Sequence, residues 1–190
     1  IFVKEQWLEQ GYLDFALQGP GNLSINQMAK EIGSSRSSFY HHFAEIDLFV
    51  DELLARHWDI CQKFNLAGKT TCKSLIPDLY GLLAAYPIPL QFSRQLFHHR
   101  HIPRYNYVFV TSYEASAKAF ILDLFAAHMD LHLPQADLNH LFLTLGEAWY
   151  SRLDPQDLSA ETLEYHGRDI LQDLANFMGS DIFSTLRKTP

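Results

Sequence analysis

Histidines with the spacing of metal ligands are the first residues in this sequence that point to chemistry. His98, His99 and His101 lie close together, and His128 and His132 stand four residues apart, one turn of a helix. Such a pair chelates zinc when further ligands complete the set. No third ligand has a recognisable spacing, and the pattern H-E-x-x-H is absent. We therefore expect no metal site.

Catalytic signatures are missing as well. The sequence contains no G-x-S-x-G, no S-x-x-K and no glycine-rich dinucleotide loop. Gly68-Lys69-Thr70 looks like the end of a phosphate-binding loop, but Lys63 stands in place of that motif's first glycine and no strand precedes it. The sequence therefore predicts a protein that is not an enzyme and needs no cofactor, and an enzyme is the third of three interpretations.

Composition places limits on the partners. The chain has 190 residues, of which 47% are apolar, so it can fill a real core. Fifteen lysines and arginines against 22 acidic residues give a net charge of −7. No global basic field attracts nucleic acid, so any DNA binding must be local. Aromatic residues make up 14% of the chain, and this surplus of rings indicates an apolar cavity.

The chain carries the marks of a cytoplasmic protein. Cys61 and Cys72 form no C-x-x-C pair and are too few for a disulfide framework, which fits a reducing compartment. The longest apolar run is interrupted by Pro87 and Pro89, so we expect no membrane span. Charged side chains among the first residues argue against a signal peptide.

Apolar residues recur at three- and four-residue spacing through most of the chain, and this pattern predicts an all-α fold. The prolines at 87, 89, 103, 134 and 155 are expected to fall between helices. A polar connection is expected over 65–74. The predicted helices cover about 2–17, 24–32, 35–42, 46–66, 74–86, 90–99, 105–131, 135–152 and 160–178.

Two short helices around a glycine turn form the most informative stretch. Ser24-x-x-Gln27 has the spacing of a capping box, Gly33 ends the second helix, and Ser34 or Ser35 caps the third. This arrangement predicts a helix-turn-helix, which delivers a recognition helix to the DNA major groove. The spacing alone leaves an ordinary pair of helices equally open.

The residues themselves add a family resemblance. Residues 24–43 read S-I-x-x-M-A-x-x-I-G-S-S-R-S-S-F-Y-x-H-F, with an amphipathic helix before them and a long helix after them. From about Trp7 to Trp58 this order closely resembles the DNA-binding domain of the TetR family of transcriptional regulators. It is most similar to members whose third helix ends Ser-Phe-Tyr-x-His-Phe.

The resemblance assigns roles to single positions. It makes Ser24 a phosphate contact at a helix N-terminus and Arg36 the reader of a guanine edge. Tyr40 and His42 would contact phosphates, although core packing for Tyr40 and a helix C-terminal contact for His42 stay open. The implied DNA-binding residues are Ser24, Ser35, Arg36, Ser37, Ser38, Tyr40 and His42.

Three positions depart from the family pattern. Ser34 replaces a small apolar residue, Ser37 replaces a common glycine, and Ile46 replaces the Lys or Arg that starts the fourth helix and meets a phosphate. Residues 1–58 contain four basic and eight acidic side chains, a net charge of −4. We therefore expect modest DNA affinity with a strong dependence on salt.

The resemblance also implies a small-molecule site among the middle helices. Pockets of this kind are mostly apolar with a few polar groups that orient the ligand. Ordinary core packing is the alternative for each ring. The candidate ligand-binding residues are Tyr80, Phe97, His98, Tyr113, Phe120 and His128.

The last two helices are apolar on more than one side, which indicates a partner. In TetR-like proteins such a pair forms a dimer interface, and two major-groove half-sites also require a symmetric dimer. The alternative is that both helices are internal. The candidate interface residues are Leu141, Leu145, Trp149, Leu163, Ile170, Leu171, Leu174 and Phe177.

The leading interpretation is a homodimeric regulator that binds a pseudo-palindromic operator and senses a small apolar or amphipathic effector. Residues 1–45 would bind DNA and residues 46–190 would bind the ligand and the second copy, with a helix over 46–66 connecting them. Repression and release by the effector follow the family pattern. The alternative is an all-α ligand-binding or interaction protein whose DNA binding is weak or lost.

Overall fold

The computed structural model describes residues 3–179, and every regular element in that range is helical. The all-α prediction is therefore confirmed. Residue 2, where the first helix was expected to begin, lies outside the described residues. The α-helices are α1 (Val3–Gln18), α2 (Ile25–Glu31), α3 (Arg36–Phe43), α4 (Ile46–Thr71), α5 (Tyr80–Ala84), α6 (Pro87–His98), α7 (Pro103–Ser116), α8 (Leu122–Met129), α9 (Gln135–Arg152) and α10 (Ala160–Met178).

The chain divides into two compact units. The first unit comprises residues 3–66 and Tyr86–Tyr113, and the second comprises Ala67–Ala85 and residues 114–179. The first unit therefore holds α1–α3, most of α4, α6 and most of α7. The predicted division after residue 45 concerns function rather than compactness, and it stays a prediction.

Helix α4 is longer than expected. A polar connection was predicted from Asn65 onward, but the helix continues to Thr71. Asn65 is buried, and a Cβ added at Gly68 would run into the ring of Phe120. Packing on one side of these turns thus keeps a polar sequence helical, which the local pattern does not reveal.

Prolines open helices here more often than they separate them. Pro87 is the first residue of α6, Pro89 lies in the same turn, and Pro103 is the first residue of α7. The prediction that these three prolines fall between helices was wrong. Proline fits the first turn of a helix because the backbone N–H groups there have no acceptor within the helix. Pro77 has the opposite effect: in its turn, Ile76 has extended backbone angles, so the helix predicted over 74–86 is regular only as α5.

The long helix predicted over 105–131 is interrupted twice. A wider π-type turn, Ala117–Ile121, separates α7 from α8, and Asp130 ends α8 with a left-handed φ of +52°. His132 therefore lies beyond the helix that carries His128, and the two do not share one helical face. In contrast, α9 and α10 have the predicted bounds.

The core of the first unit is a stack of rings between α1 and α6. Phe92 packs on Phe15 and Tyr12 with ring centroids 4.1 Å and 4.5 Å apart, and Tyr105 meets Phe15 edge-on. Offset aromatic pairs of this type add to the energy of burial.

The core of the second unit relies on rings opposite glycines and on apolar contacts. The ring of Tyr80 lies where a Cβ on Gly167 would be. Trp149 donates its indole N–H to the carbonyl of Leu163 at 3.0 Å. Both contacts tie α10 to its neighbours, and they leave no room for a larger residue at position 167.

Candidate nucleic-acid interface

Helices α2 and α3 are held on the first unit by a cluster of aromatic rings. Phe39 of α3 contacts Trp7 of α1 and Phe49 of α4 with ring centroids 5.2 Å and 5.1 Å apart, and Phe43 contacts Phe49 at 4.8 Å. All four side chains, together with Met28 of α2, are almost fully buried. Helix α3, the predicted recognition helix, thus has a rigid support on one side.

Ser24 caps the start of α2 as predicted, but only one of the two hydrogen bonds of a capping box is formed. The backbone N–H of Gln27 donates to Ser24 Oγ at 3.3 Å, while the Gln27 side chain bonds Glu31 instead of returning to the cap. At the other end, Gly33 has a φ of +64°, a left-handed conformation that favours glycine. The prediction of a reciprocal capping box was therefore wrong, and the prediction that Gly33 ends α2 is confirmed.

Ser35 begins the recognition helix. Its Oγ accepts a hydrogen bond from the backbone N–H of Ser38 at 3.2 Å and lies 2.9 Å from Ser37 Oγ. Ser35 rather than Ser34 is thus the N-cap. The capping bond positions the exposed first turn of α3, where the two exposed hydroxyls, of Ser35 and Ser37, remain near each other.

Arg36 and Tyr40 act as a pair on the exposed side of α3. Arg36 donates to the Tyr40 hydroxyl at 3.3 Å, and its guanidinium carbon lies 5.6 Å from the Tyr40 ring centroid. Both side chains are exposed, so Tyr40 is not a core residue. Ser24 is exposed too, whereas Ser38 and His42 are half-buried.

Two of the four cations in residues 1–58 are bound to carboxylates. Lys4 pairs with Glu52 at 2.8 Å, and Arg56 pairs with Glu5 at 2.5 Å. Arg36 forms no ion pair with any residue in the described range. It is therefore a cation of this region that is not bound to a carboxylate and that is exposed to solvent.

An arginine from a distant helix reaches the beginning of α4. Arg104 bonds Asp47 at 2.8 Å and Asp51 at 3.4 Å, so it lies beside the turn that starts with Ile46. The sequence analysis missed this contact because the partners are 57 residues apart. No local signal links them, although the three residues lie in the same unit.

An open groove of about 480 Å³ follows the end of α3. It contains charged side chains at its rim, and none of the predicted ligand-binding residues lines it. Two of its lining residues, Tyr40 and His42, are among the predicted DNA-binding residues. Its lining consists of Tyr40, His41, His42, Phe43, Ala44, Leu48, Asp51, Glu52 and Ala55.

The predicted ligand-binding residues are spread over both units. In the first unit, Phe97 is buried and packs on Phe109, whose ring lies 6.0 Å from the half-buried Tyr113. In the second unit, Tyr80 and Phe120 are buried. The two histidines chosen to orient a ligand, His98 and His128, are both exposed, which is the wrong environment for the polar group of an enclosed pocket.

A buried polar network in the first unit was not predicted. His57 is fully buried, with Nδ1 2.8 Å from the Tyr12 hydroxyl and Nε2 3.1 Å from Ser93 Oγ. Cys61 Sγ lies 3.5 Å from the same Nε2. Burial lowers the pKa of His57 to about 3 and raises the pKa of Cys61 to about 12, so both groups are neutral at pH 7.

One turn beyond Cys61, Asn65 continues this polar row along α4. Asn65 is buried, and its Oδ1 accepts no hydrogen bond from any described residue. An unsatisfied buried acceptor costs about 1–3 kcal/mol. The spacing His57, Cys61, Asn65 is visible in the sequence, but burial of the row depends on α1, α6 and α7.

Half of the eight predicted dimer residues lie inside the chain. Trp149, Leu163, Ile170 and Leu171 are buried, so they serve the core of the second unit. The others, Leu141, Leu145 and Leu174, are half-buried, and Phe177 is 44% exposed. As a partner surface, the C-terminal half of α10 is therefore more accessible than its beginning.

Two further features bear on the sequence analysis. No three histidine, cysteine, aspartate or glutamate side chains between residues 3 and 179 come together as a metal ion would require. None of the helices in that range is both long enough and apolar enough to cross a membrane.

Solved structures provide the comparison with known proteins. No family model and no curated protein matches the sequence. A structure described as a TetR-family transcriptional regulator from Rhodococcus sp. is similar with a TM-score of 0.62 at 15% identity, over 90% of this chain and 98% of that one. A transcriptional regulator from Saccharomonospora viridis in complex with choline has a TM-score of 0.63 at 16% identity, over 94% and 96%.

A third structure, a TetR-family transcriptional regulator from Streptomyces coelicolor, gives 0.53 at 17% identity, over 98% of this chain and 89% of the other. The chain has the TetR-type fold. The predicted helix-turn-helix followed by a larger helical region is thus confirmed as architecture. The named neighbours are described as transcriptional regulators.

Proposed function

We propose that this chain is a DNA-binding transcriptional regulator of the TetR family, with its DNA-binding domain in residues 1–45 and its ligand-binding and dimerisation domain in residues 46–190. One observation carries the proposal. On α3, Phe39 and Phe43 are buried while Arg36, Ser37 and Tyr40 are exposed. A supported helix with small polar residues and an arginine on its outer side suits contact with base edges and phosphates. The TetR-type fold supports this assignment.

The regulator acts as a homodimer on a pseudo-palindromic operator. Two copies of α3 then sit about one DNA turn, roughly 34 Å, apart. The partner surface is formed by α9 and α10, where Leu141, Leu145 and Leu174 are half-buried. A Leu174→Glu variant should sediment as a folded monomer, because a carboxylate in an apolar contact is costly to bury. Leu171, which is part of the core, is the wrong position for this test.

The protein represses transcription until an apolar or amphipathic effector releases it from DNA. The choline complex of the Saccharomonospora viridis neighbour makes choline a first compound to test. Asn65 Oδ1 is the proposed acceptor for an N–H or O–H group of the ligand. Replacing Asn65 by Ala should weaken such a ligand about 3–10-fold, the value of one hydrogen bond, while Asn106→Ala on the exposed side of α7 should not.

The effector acts through the first unit itself. Helix α4 carries Asn65 and Cys61, and the same helix packs through Phe49 against the recognition helix. A ligand that prefers the conformation with weaker DNA binding lowers operator affinity, and operator DNA must then weaken ligand binding by the same factor. Calorimetry with and without operator measures both factors. Equal ligand affinity in both states would contradict this mechanism.

Selection of duplex sites from random DNA tests the DNA-binding role. Arg36→Ala should change the selected sequence, because this residue reads bases, whereas Tyr40→Phe should weaken all sites alike. Since the two side chains share a hydrogen bond, the double variant should differ from the sum of the single effects. If both single variants select the parent operator with unchanged affinity, α3 is not the reading helix.

A second candidate is an all-α ligand-binding or interaction protein with weak or lost DNA binding. The observation that favours it is the charge balance: Lys4 and Arg56 are bound to carboxylates, and Ile46 lacks the family's cation. This candidate predicts ligand binding without saturable binding to any duplex at low salt. The selection experiment above separates the two.

A further inference from the structure

The chain contains a cationic stretch that its overall charge conceals. The protein has a net charge of −7, yet no aspartate or glutamate occurs between Asp78 and Glu114. Within that stretch the basic side chains gather around the end of α6 and the beginning of α7. They are Arg94, His98, His99, Arg100, His101 and Arg104. We name the four consecutive residues 98–101 the α6–α7 basic turn.

The side chains of the α6–α7 basic turn are presented at the surface. His98, Arg100 and His101 are exposed. Arg100 is held in place, because it donates to the carbonyl of Phe97 at 2.8 Å and its guanidinium carbon lies 4.0 Å from the Phe97 ring centroid. No carboxylate between residues 3 and 179 forms an ion pair with Arg100. Its charge is therefore available to an anion.

The basic turn lies next to the segment that leads into α2. A Cβ added at Gly19 would come within 3.5 Å of His99 Cε1 and 3.0 Å of Gln95 Oε1. Gln95 also donates to the carbonyl of Ala16 at 3.3 Å. From Gly19 the chain has five residues to Ser24, the cap of α2, so these two Cα atoms are at most roughly 17 Å apart.

The first turn of α7, just after the basic turn, contacts the segment that follows α3. Arg104, in the first turn of α7, bonds Asp47, which is the neighbour of Ile46. Gly19 precedes the two helices of the helix-turn-helix and Asp47 follows them, and all of these residues belong to the first unit. Cations of α6 and α7 are thus brought to both ends of the predicted DNA-binding element.

We propose that the α6–α7 basic turn, led by Arg100 and His101, binds backbone phosphates of the DNA that flanks the bases read by α3. This inference rests on the proposed function. Arginine guanidinium and imidazole N–H groups are suited to phosphate oxygens, and such contacts position a protein on the duplex without reading its sequence. The turn supplies positive charge. The predicted DNA-binding region lacks it, because Ile46 is uncharged and the acidic residues outnumber the basic ones.

An anion bound at the turn would also favour the protonated form of His98. Burial, and then the neighbouring charges of Arg94, His99 and Arg100, lower the pKa of His98. Like charges held this close repel each other, and an anion relieves the repulsion. DNA offers such anions densely, with about one phosphate charge per 1.7 Å of helix axis.

The salt dependence of DNA binding tests the proposal. The dissociation constant of the intact protein is measured on its selected operator and on a random duplex. The salt concentration is varied from roughly 50 to 300 mM, where phosphate contacts dominate the salt dependence. Arg100→Ala should weaken both duplexes by the same factor, about eightfold at 0.1 M salt, and should reduce the slope of log K against log salt by about 0.9. Arg100→Lys, which keeps the charge, should retain most of the slope.

A matched control is Arg168→Ala, which removes an exposed arginine from the second unit and should leave the slope unchanged. Circular dichroism establishes that the variants are folded. If the parent selects an operator that Arg36→Ala alters, but Arg100→Ala has the parent slope, the proposal is wrong and the proposed function stands. If the parent binds no duplex at any salt concentration, both fail.

Discussion

The two compact units share close glycine–ring contacts, since a Cβ on Gly11 of the first unit would run into the ring of Phe49, but they differ in their buried polar groups. In the first unit, Tyr12, His57 and Ser93 join α1, α4 and α6 through hydrogen bonds within a stack of rings. In the second unit, Gly68 and Gly167 let the rings of Phe120 and Tyr80 approach helix backbones closely. Hydrogen bonds of the first kind require one alignment of three helices, because each buried polar atom needs its partner. Contacts of the second kind depend on shape alone.

Because of this difference, the two units should tolerate different substitutions. A polar network responds to protonation and to loss of a single partner atom, whereas a glycine contact responds to added volume. The unit that carries the recognition helix is therefore the one with chemical sensitivity in its interior. Substitutions in the two units should therefore differ in their effects on stability.

The largest effect is expected from added volume in the second unit. Gly167→Ala places a Cβ inside the ring of Tyr80 and should lower the free energy of unfolding by about 3 kcal/mol, at the upper end of overpacking effects. Gly81→Ala on α5 meets nothing within 4 Å and should instead stabilise by roughly 0.5–1 kcal/mol through helix propensity. Urea denaturation of both variants measures the contrast, and equal effects would contradict the glycine–ring interpretation.

Acid should weaken the protein through His57. Its pKa is about 3 in the folded chain against an ordinary value of 6.5, so the unfolded chain binds the proton first. The stability this histidine contributes is complete above pH 6.5 and falls as the pH drops from 6.5 toward 3. The expected loss between pH 6.5 and pH 5 is about 2 kcal/mol.

Denaturation at several pH values tests this expectation. His57→Gln should flatten the decline between pH 6.5 and pH 5, whereas replacement of the exposed His128 by Gln should leave it unchanged. A decline that is the same in both variants would assign the acid sensitivity to other groups.

The smallest effect is expected from a single hydroxyl. Tyr12→Phe keeps the ring on Phe92 but leaves His57 Nδ1 buried without its partner, at a cost of about 1 kcal/mol. Tyr80→Phe in the second unit removes a buried hydroxyl that packs on Gly167 but bonds no described residue, so it should lower stability less than Tyr12→Phe does. Thermal denaturation of the two variants compares them, and a larger loss for Tyr80→Phe would reverse the contrast.

Local signals explain why the helix-turn-helix could be predicted. Ser24 and Ser35 each accept a hydrogen bond from the backbone N–H three residues further on, and Gly33 adopts a positive φ. Such effects depend on the backbone nearby and are visible in one sequence. The bounds of α9 and α10 were predicted for the same reason, since Pro134 and Ser159 mark their starts.

Long-range contacts explain most of what was missed. The bond between Arg104 and Asp47 and the network around His57 join residues that are distant in the chain. The end of α4 was misplaced because Asn65 looks like a loop residue and is helical only through packing. The exposure of His98 and His128 was not foreseen, because a polar residue on an aromatic-rich helix has no local mark that tells a buried position from the surface.

The sequence by itself determined the helical class, the helix-turn-helix, the overall acidity and the acid-free stretch between Asp78 and Glu114. Only the tertiary structure decided which polar groups are buried, as at His57, and which apolar residues of α10 serve the core, as at Leu163. Periodicity shows that a helix has an apolar side, but not which neighbour covers it. Burial is set by several elements at once, and it is burial that determines whether a side chain supports the fold or meets a partner.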